Sequence, residues 1–520
     1  MNHFNYQYFM KRAFLLIFSV VCFTISTWAT DFTIGGTTYS ITDSINKKVK
    51  ISVSYVTGQI EIPTVVTNNS VSYTVTSIGD YAYSGTDIYS VSIPSTVTSI
   101  GAGAFYDCPW LNVVSMSCPI DSIKYKTFDS CGRLEYINIP SSVKYIGMFA
   151  FENCGSLASL TLPSSLTYID DEAFYYAGLK SVIIPSSVSH IGQCAFQCCP
   201  FETFTFASPS SLTTIETGVF TGCIYLKSLI IPPSVKTIEM NAIIQCWDLT
   251  SITIPSSVTD IGSGAFSYCS KLSSITIPSS VTSIQSTTFH LCTALTNVNL
   301  PNSITSIDWG AFQFCSALAS ITIPNSVTKI DGFAFYSSGL TSIIIPNSVT
   351  SVGMDAFLDC RKLTTVFIPN SVTSIGSSAF ENCVALNSIH VKNPDPSKIE
   401  LGYTSLFSNV PTSTCILYVP VGSKSLYGNA NQWKDFKNIV EEDLSTGIET
   451  VSASELGISI KGSQLWLSSV AASSSVQVVA VNGRIVFDAK TIANILSITL
   501  PSAGVYIVRI GGKIAKVIVS

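Results

Sequence analysis

The chain has 520 residues, too many for one compact core, and only 11% of them are charged, against a usual share of about 25%. Its net charge is −5 with no basic block anywhere, which argues against a nucleic-acid partner. Hydrophobic residues make up 47% and recur at regular positions, which excludes a disordered chain, and serine and threonine replace the missing charges on the surface.

The N-terminus reads as a targeting segment. Lys11 and Arg12 precede an apolar run from Ala13 to Ile25, and Ser26-Thr27-Trp28-Ala29 supplies a small-residue cleavage site. The run is shorter than the roughly 20 residues a membrane span needs, so residues 1–29 are predicted to be a cleaved signal peptide. Cys22 follows Val21, where a lipoprotein signal wants a small residue. No later segment has 18 unbroken apolar residues, so no membrane span is expected after cleavage. Residues 30–80 alternate like strands, as in Val49 to Tyr55, and are expected to form an N-terminal cap.

Residues 81–391 repeat about every 23 positions. Prolines close the first apolar run of each copy at 140, 163, 185, 209, 232, 255, 278, 301, 324, 346 and 369, in steps of 22, 23 or 24. Within one copy, Leu272 to Ile277 places Ile275 and Ile277 on one face and Ser274 and Thr276 on the other, the pattern of a half-buried strand. Pro278 removes a backbone donor and ends that ladder. Val281 to Ile284 reads as a second short strand or extended turn. A glycine often comes next, as at Gly262 and Gly376, where a turn is expected to need backbone freedom. An aromatic column comes after it, represented by Phe105, Phe128, Phe151, Phe174, Phe266, Phe289, Phe312, Phe357 and Phe380. Stacked, these rings would form a spine, each burying about 150–250 Å².

The pattern L-x-x-I-x-I-P-x-S-V-T-x-I-G-x-x-A-F-x-x-C resembles the BspA-like leucine-rich repeat family over about 330 residues. The resemblance implies a mostly β leucine-rich-repeat solenoid, here of about 14 coils of 22–24 residues. It also implies a bacterial surface protein, since several members act as adhesins for host matrix proteins such as fibronectin and fibrinogen. No residue-level motif carries that activity over.

Three residues after the column aromatic stands a cysteine, as at Cys108, Cys131, Cys154, Cys269, Cys292 and Cys315, with Ala177 or Ser338 in the same slot of shorter coils. A slot that takes Cys, Ala or Ser is small and buried, where a free thiol behaves as a small hydrophobe. Neighbouring coils bring such residues within disulfide range, but side chains pointing the same way do not readily give the required torsion. Free thiols and some bridges both stay open, including a local bridge among Cys194, Cys198 and Cys199. No histidine accompanies the column, so no metal or other cofactor is expected. His190, His290 and His390 share no setting and read as surface or turn residues. With no phosphate loop, no H-E-x-x-H and no base for any serine, the chain is not expected to be an enzyme.

The outward residue of the first strand reads Ser92, Ser115, Asn138, Thr161, Ile183, Thr205, Ile230, Thr253, Thr276, Asn299, Thr322, Ile344, Phe367. Threonine and isoleucine suit any sheet. Apolar points on a polar strip are also partner anchors, which makes Tyr136, Ile183, Ile230, Ile344 and Phe367 the candidate contact residues, with Ile344 and Phe367 expected to form one patch.

The repeats end before Asn393-Pro394-Asp395-Pro396. Residues 392–445 are expected to close the stack and lead out, with Cys415 to Pro420 echoing the strand and Trp433 sealing the end. Residues 446–520 alternate as strands (Ile458–Ile460, Leu465–Leu467, Val476–Val479, Ile498–Leu500, Val505–Val508, Ile514–Val517), with hairpin turns at Asn482-Gly483 and Gly511-Gly512. This predicts a small β-sandwich. It resembles the C-terminal sorting domain of type IX secretion substrates in Val481-Asn482-Gly483-Arg484, in Leu500 to Val508 and in Gly512 to Val517. That resemblance implies engagement with secretion machinery and a place outside the outer membrane. The expected partner is a host or microbial protein. A surface glycan and a purely structural envelope role are the alternatives. The five tryptophans beyond the leader (Trp110, Trp247, Trp309, Trp433, Trp466) are scattered in sequence, which favours protein over sugar.

Overall fold

The computed structural model describes residues 31–442 and, beyond them, 449–450, 458–461, 464–468, 475–480, 485–490, 495–501, 504–510 and 513–519. The leader at 1–29 and both expected hairpin turns lie outside the described residues.

Each copy of the repeat makes one backbone turn with three sides. On the first side, Ser274–Thr276 pairs in parallel with Asn297–Asn299 of the next coil. Ile275 and Ile277 are buried while Ser274 and Thr276 are exposed, as the alternation requires. The corner after it is a four-residue turn in which the Val281 N–H donates to the Pro278 carbonyl at 3.1 Å. On the second side, Ser283–Ile284 pairs with Ser306–Ile307. The serine before the turn valine is a structural donor. Ser303 Oγ donates to the Val281 carbonyl of the preceding coil at 2.6 Å, and Ser142, Ser165, Ser187, Ser257 and Ser348 repeat the bond.

The third side carries no regular strand, yet it is bonded like a ladder. The N–H groups of Thr287, Phe289 and Leu291 donate to the carbonyls of Trp309, Ala311 and Gln313 in the next coil. To aim them all the same way, Thr287 and Leu291 take left-handed backbone angles (φ 53° and 58°), and most coils repeat this at the equivalent positions. A non-glycine residue there costs about 1–3 kcal/mol. Two such residues per coil cost about 2–6 kcal/mol, and three inter-coil bonds at about 0.5–1.5 kcal/mol each return a comparable amount. The glycines at 262 and 376 have another role than the freedom expected of them. Neither has positive φ, but a β-carbon would lie 2.5 Å from the Met240 nitrogen at Gly262 and 2.3 Å from the Met354 nitrogen at Gly376. They permit close approach of coils.

Two stacks of aromatic rings run through the interior, among buried isoleucine, leucine and valine side chains. Tyr83, Phe105, Phe128, Phe151, Phe174 and Phe196 stack with centroids 5.2–5.5 Å apart. Phe266, Phe289, Phe312, Phe335, Phe357 and Phe380 form a second stack at 5.3–5.7 Å. Beside them the cysteines at 108, 131, 154, 269, 292 and 315 are fully buried free thiols. They do more than fill space. Cys292 Sγ donates to the Phe266 carbonyl at 3.1 Å, and each of the others likewise meets the carbonyl of the preceding coil's column residue.

Both ends are closed. At the N-terminal end a sheet of Phe32–Ile34, Thr37–Asp43, Lys48–Ser54, Val71–Ile78 and Val65–Asn68 joins the second side where Ser77 pairs with Ser99. At the C-terminal end Ile416–Pro420 and Asn438–Glu442 extend the first side. There Phe407 continues the spine and meets Trp433 edge-on at 5.1 Å, with Trp433 buried. Beyond residue 442, two sheets of five and three strands enclose their own core of Leu465, Leu467, Val476, Val478, Tyr506 and Val508, a small β-sandwich. One of its strands, Ile485–Lys490, has no clear alternation and was not expected.

Candidate functional site

The first-side ladder breaks into segments, and one break opens into a cleft. Thr203–Phe206 pairs with Ser181–Ile184 behind it, while Ser228–Ile230 pairs only forward with Ser251–Thr253. What sets this break apart is local sequence. Phe201, Phe204 and Phe206 occupy the places that Leu272, Ile275 and Ile277 hold in a regular coil, and Ala207-Ser208 is a two-residue insertion before Pro209. The Phe204 ring packs edge-on to Phe196, Phe201, Phe206 and Phe220 at 4.7–5.4 Å. The spine therefore turns sideways here instead of stacking through. Phe204, Phe206 and the inserted Ala207-Ser208 all line the opening.

The resulting cleft measures about 380 Å³ and is lined by Thr205, Phe206, Ser208, Ser228, Ile230 and Pro233, among others. No charged side chain lines it, and its polar groups are hydroxyls and backbone. Such a lining suits a neutral occupant with apolar and hydrogen-bonding parts. Ile230 is 70% exposed on one wall, and Ile183, 64% exposed, stands beside Thr205 across the ladder. The two isoleucines flank the cleft.

Of the other expected contact residues, Tyr136 is exposed on the same side, two coils before Ile183. Ile344 and Phe367 do not form the free patch expected of them. They are neighbours in register, but both are half-buried, and the Phe367 ring stacks on His390 at 4.4 Å. His390 in turn stacks on Tyr418 at 4.4 Å and bonds through Nδ1 to Glu442 at 2.9 Å, a carboxylate that also meets Arg509 of the sandwich at 3.2 Å. His390 is thus a held side chain, not the surface residue expected. Burial lowers its pKa, opposed by Glu442. Ile344 lies five coils beyond Ile230, roughly 24 Å at the spacing of adjacent strands, so the five candidates do not share one site.

Sequence reasoning missed a second surface. On the third side, Tyr268, His290, Phe314, Tyr336, Phe333 and Trp309 touch in series with centroids 4.6–5.7 Å apart. Trp309 is exposed, as is Tyr268. These residues sit one, two or three places away from the column phenylalanines, an offset that a count of tryptophans cannot reveal. Cys199 belongs to the buried column, while Cys194 and Cys198 are half-buried on the third side, and all three are free. Among the described residues no group of three His, Cys, Asp or Glu side chains is placed to hold a metal ion. None of their helices is long and apolar enough to cross a membrane.

Comparison with known proteins agrees with this architecture. A family model for the BspA type leucine rich repeat region matches residues 76–203, 191–308 and 282–412. A leucine-rich repeat protein from Bacteroides ovatus is 30% identical, with 70% of this chain and 95% of that one covered and a TM-score of 0.57. A leucine rich cell surface protein from Faecalibacterium prausnitzii is 27% identical over 71% of this chain and 96% of its own, with a TM-score of 0.38. No significant match is found among curated proteins. In fold, in repeat and in sequence, the chain belongs to the BspA-type leucine-rich repeat family.

Proposed function

We propose that the protein is an exported, non-catalytic adhesin that binds a protein partner through the first side of its solenoid. The observation that carries this reading is the pair Ile183 and Ile230, more than half exposed, flanking a neutral cleft on a face rich in serine, threonine and asparagine. Apolar anchors beside a pocket are where binding energy concentrates in protein interfaces. Export is supported by the N-terminal pattern of Lys11-Arg12, the apolar run and Ala29. The C-terminal sandwich, with its likeness to type IX sorting domains, would hand the chain to secretion machinery and leave it outside the outer membrane. The test is binding of the purified chain to immobilised matrix proteins, wild type against the double variant Ile183→Ser/Ile230→Ser. At least a tenfold loss of affinity is expected, with unfolding temperature unchanged. Equal binding by both would refute the assignment of the face.

One observation favours a second reading. The aromatic belt around Trp309 on the third side is the kind of surface on which sugar rings stack. If the partner is a glycan, Trp309→Ala abolishes signal on a glycan array and the isoleucine variant does not.

A further inference from the structure

The third side holds one cluster that neither packing nor partner binding uses. Of the ion pairs among the described residues, Lys126–Asp129 is the shortest, at 2.6 Å, and its carboxylate the most buried, with 2% of the side chain exposed. Coil stacking adds a third member. Glu152 occupies in the next coil the position that Asp129 holds in its own, one residue after the column phenylalanine, and its Oε2 lies 3.7 Å from Lys126 Nζ. The rings of Phe149, Tyr106 and Tyr125 stand 4.8, 5.4 and 5.7 Å from the same nitrogen. The far oxygen of Asp129 is fixed by Ser130 Oγ at 2.8 Å. An amine, a carboxyl and a second acid are thus held together under aromatic cover. In the coils around Phe266, Phe289 and Phe312 the equivalent positions carry Gly264 and Ser267, Thr287 and His290, and Gly310 and Gln313.

We propose that Lys126 and Asp129 condense into an intramolecular amide, with Glu152 relaying the protons. Lys126 passes a proton across the short bond to Asp129, giving a neutral amine and a neutral acid. The nitrogen lone pair adds to Asp129 Cγ. Glu152 gives a proton to the departing hydroxyl and receives one from the nitrogen. The Cγ–O bond breaks, the Cγ–Nζ bond forms, and one water leaves. An ammonium and a carboxylate become an amide and water, Glu152 ends as it began, and no oxidant or cofactor is consumed. The acid required is at hand. Burial first, and then the neighbouring Asp129 charge, raise the Glu152 pKa to about 7, and its carboxyl hydrogen bonds to Asp129. Burial works against the Lys126 ammonium, but the two carboxylates more than offset it, so the neutral amine is the minor form. A step that occurs once in the life of each molecule tolerates a minor reactive form. Fixed partners reach effective molarities on the order of 10⁵–10⁸ M.

The test is peptide mapping by mass spectrometry of the intact, folded chain and of Lys126→Arg and Glu152→Gln. The expected wild-type peptide containing residues 126–129 is lighter by one water, is not cut by trypsin after Lys126, and gives no fragments between Lys126 and Asp129. Both variants return to full mass. A wild-type peptide of full mass, cut after Lys126, overturns the proposal whatever the variants do. So does a loss of water that leaves trypsin cleavage intact or persists in Lys126→Arg, since that marks a cyclic imide at Asp129-Ser130.

Discussion

Two coils of the same repeat behave differently. Around Cys292 the regular pattern holds: Phe266, Phe289 and Phe312 stack face to face, the thiol bonds to the carbonyl of the coil before, and Thr276 faces water. Around Cys223 the same thiol bond persists, to Phe196 at 3.3 Å, but Phe204 wedges edge-on between Phe196 and Phe220, and the outer face opens into a cleft. The inner thiol bond survives in both coils, whereas one altered strand suffices to make a surface feature. In a solenoid, stability is shared among neighbouring coils, and a local surface feature arises in the coil that departs from the pattern.

That contrast is open to mutation. The largest effect is expected from Phe289→Ala, which empties a fully buried ring site between two stacked neighbours and should cost about 3–5 kcal/mol in denaturant unfolding. A cost below about 1 kcal/mol would mean the stack does not hold the coils. Next, Cys292→Ala should cost about 0.5–1.5 kcal/mol, because the Phe266 carbonyl loses its thiol donor but keeps the Cys269 N–H. Cys292→Ser, which keeps a donor, should recover part of the loss. A pH effect comes third. Burial lowers the His390 pKa in the folded chain, so the unfolded chain binds more protons, and stability should be full above pH 6.5 and fall as pH drops below it. His390→Gln should flatten that slope in thermal melts between pH 5 and 8. The smallest effect belongs to the cleft: Ile183→Ser/Ile230→Ser should change stability by less than about 0.5 kcal/mol, since both side chains face solvent. A larger loss would place them in the core and remove the contrast between the coils.

The repeat was legible because its constraints are periodic. A strand with one buried face, a proline corner, a phenylalanine and a cysteine recur at fixed spacing, and each recurrence strengthens the same inference. The exposed state of Ile183 and Ile230 follows from their parity in the strand. What alternation cannot carry is what lies between coils. Ile344 and Phe367 have the same parity, yet their side chains are half-buried where Phe367, His390 and Tyr418 stack, and His390 is held by Glu442, 52 residues away. Ser303 looks like a surface residue until the carbonyl of Val281 is seen above it. The left-handed positions at Thr287 and Leu291 give no signal, because the requirement is for three parallel N–H groups and not for a residue type. The cleft had a trace in the 24-residue step between Pro185 and Pro209, but a length change says where a coil deviates and not what shape results.

The central claim is that like residues of successive coils form sealed internal rows. Burial raises the Cys269 and Cys360 thiols to about 12 and holds the row from solvent, while Cys194 and Cys198 are half-buried on the third side. Alkylation of the native, reduced chain, read residue by residue by mass spectrometry, tests this directly. Labelling confined to Cys194 and Cys198 until the chain unfolds is the expected result. Labelling of Cys292 or Cys315 in the folded chain, at the rate of an open thiol, would contradict it.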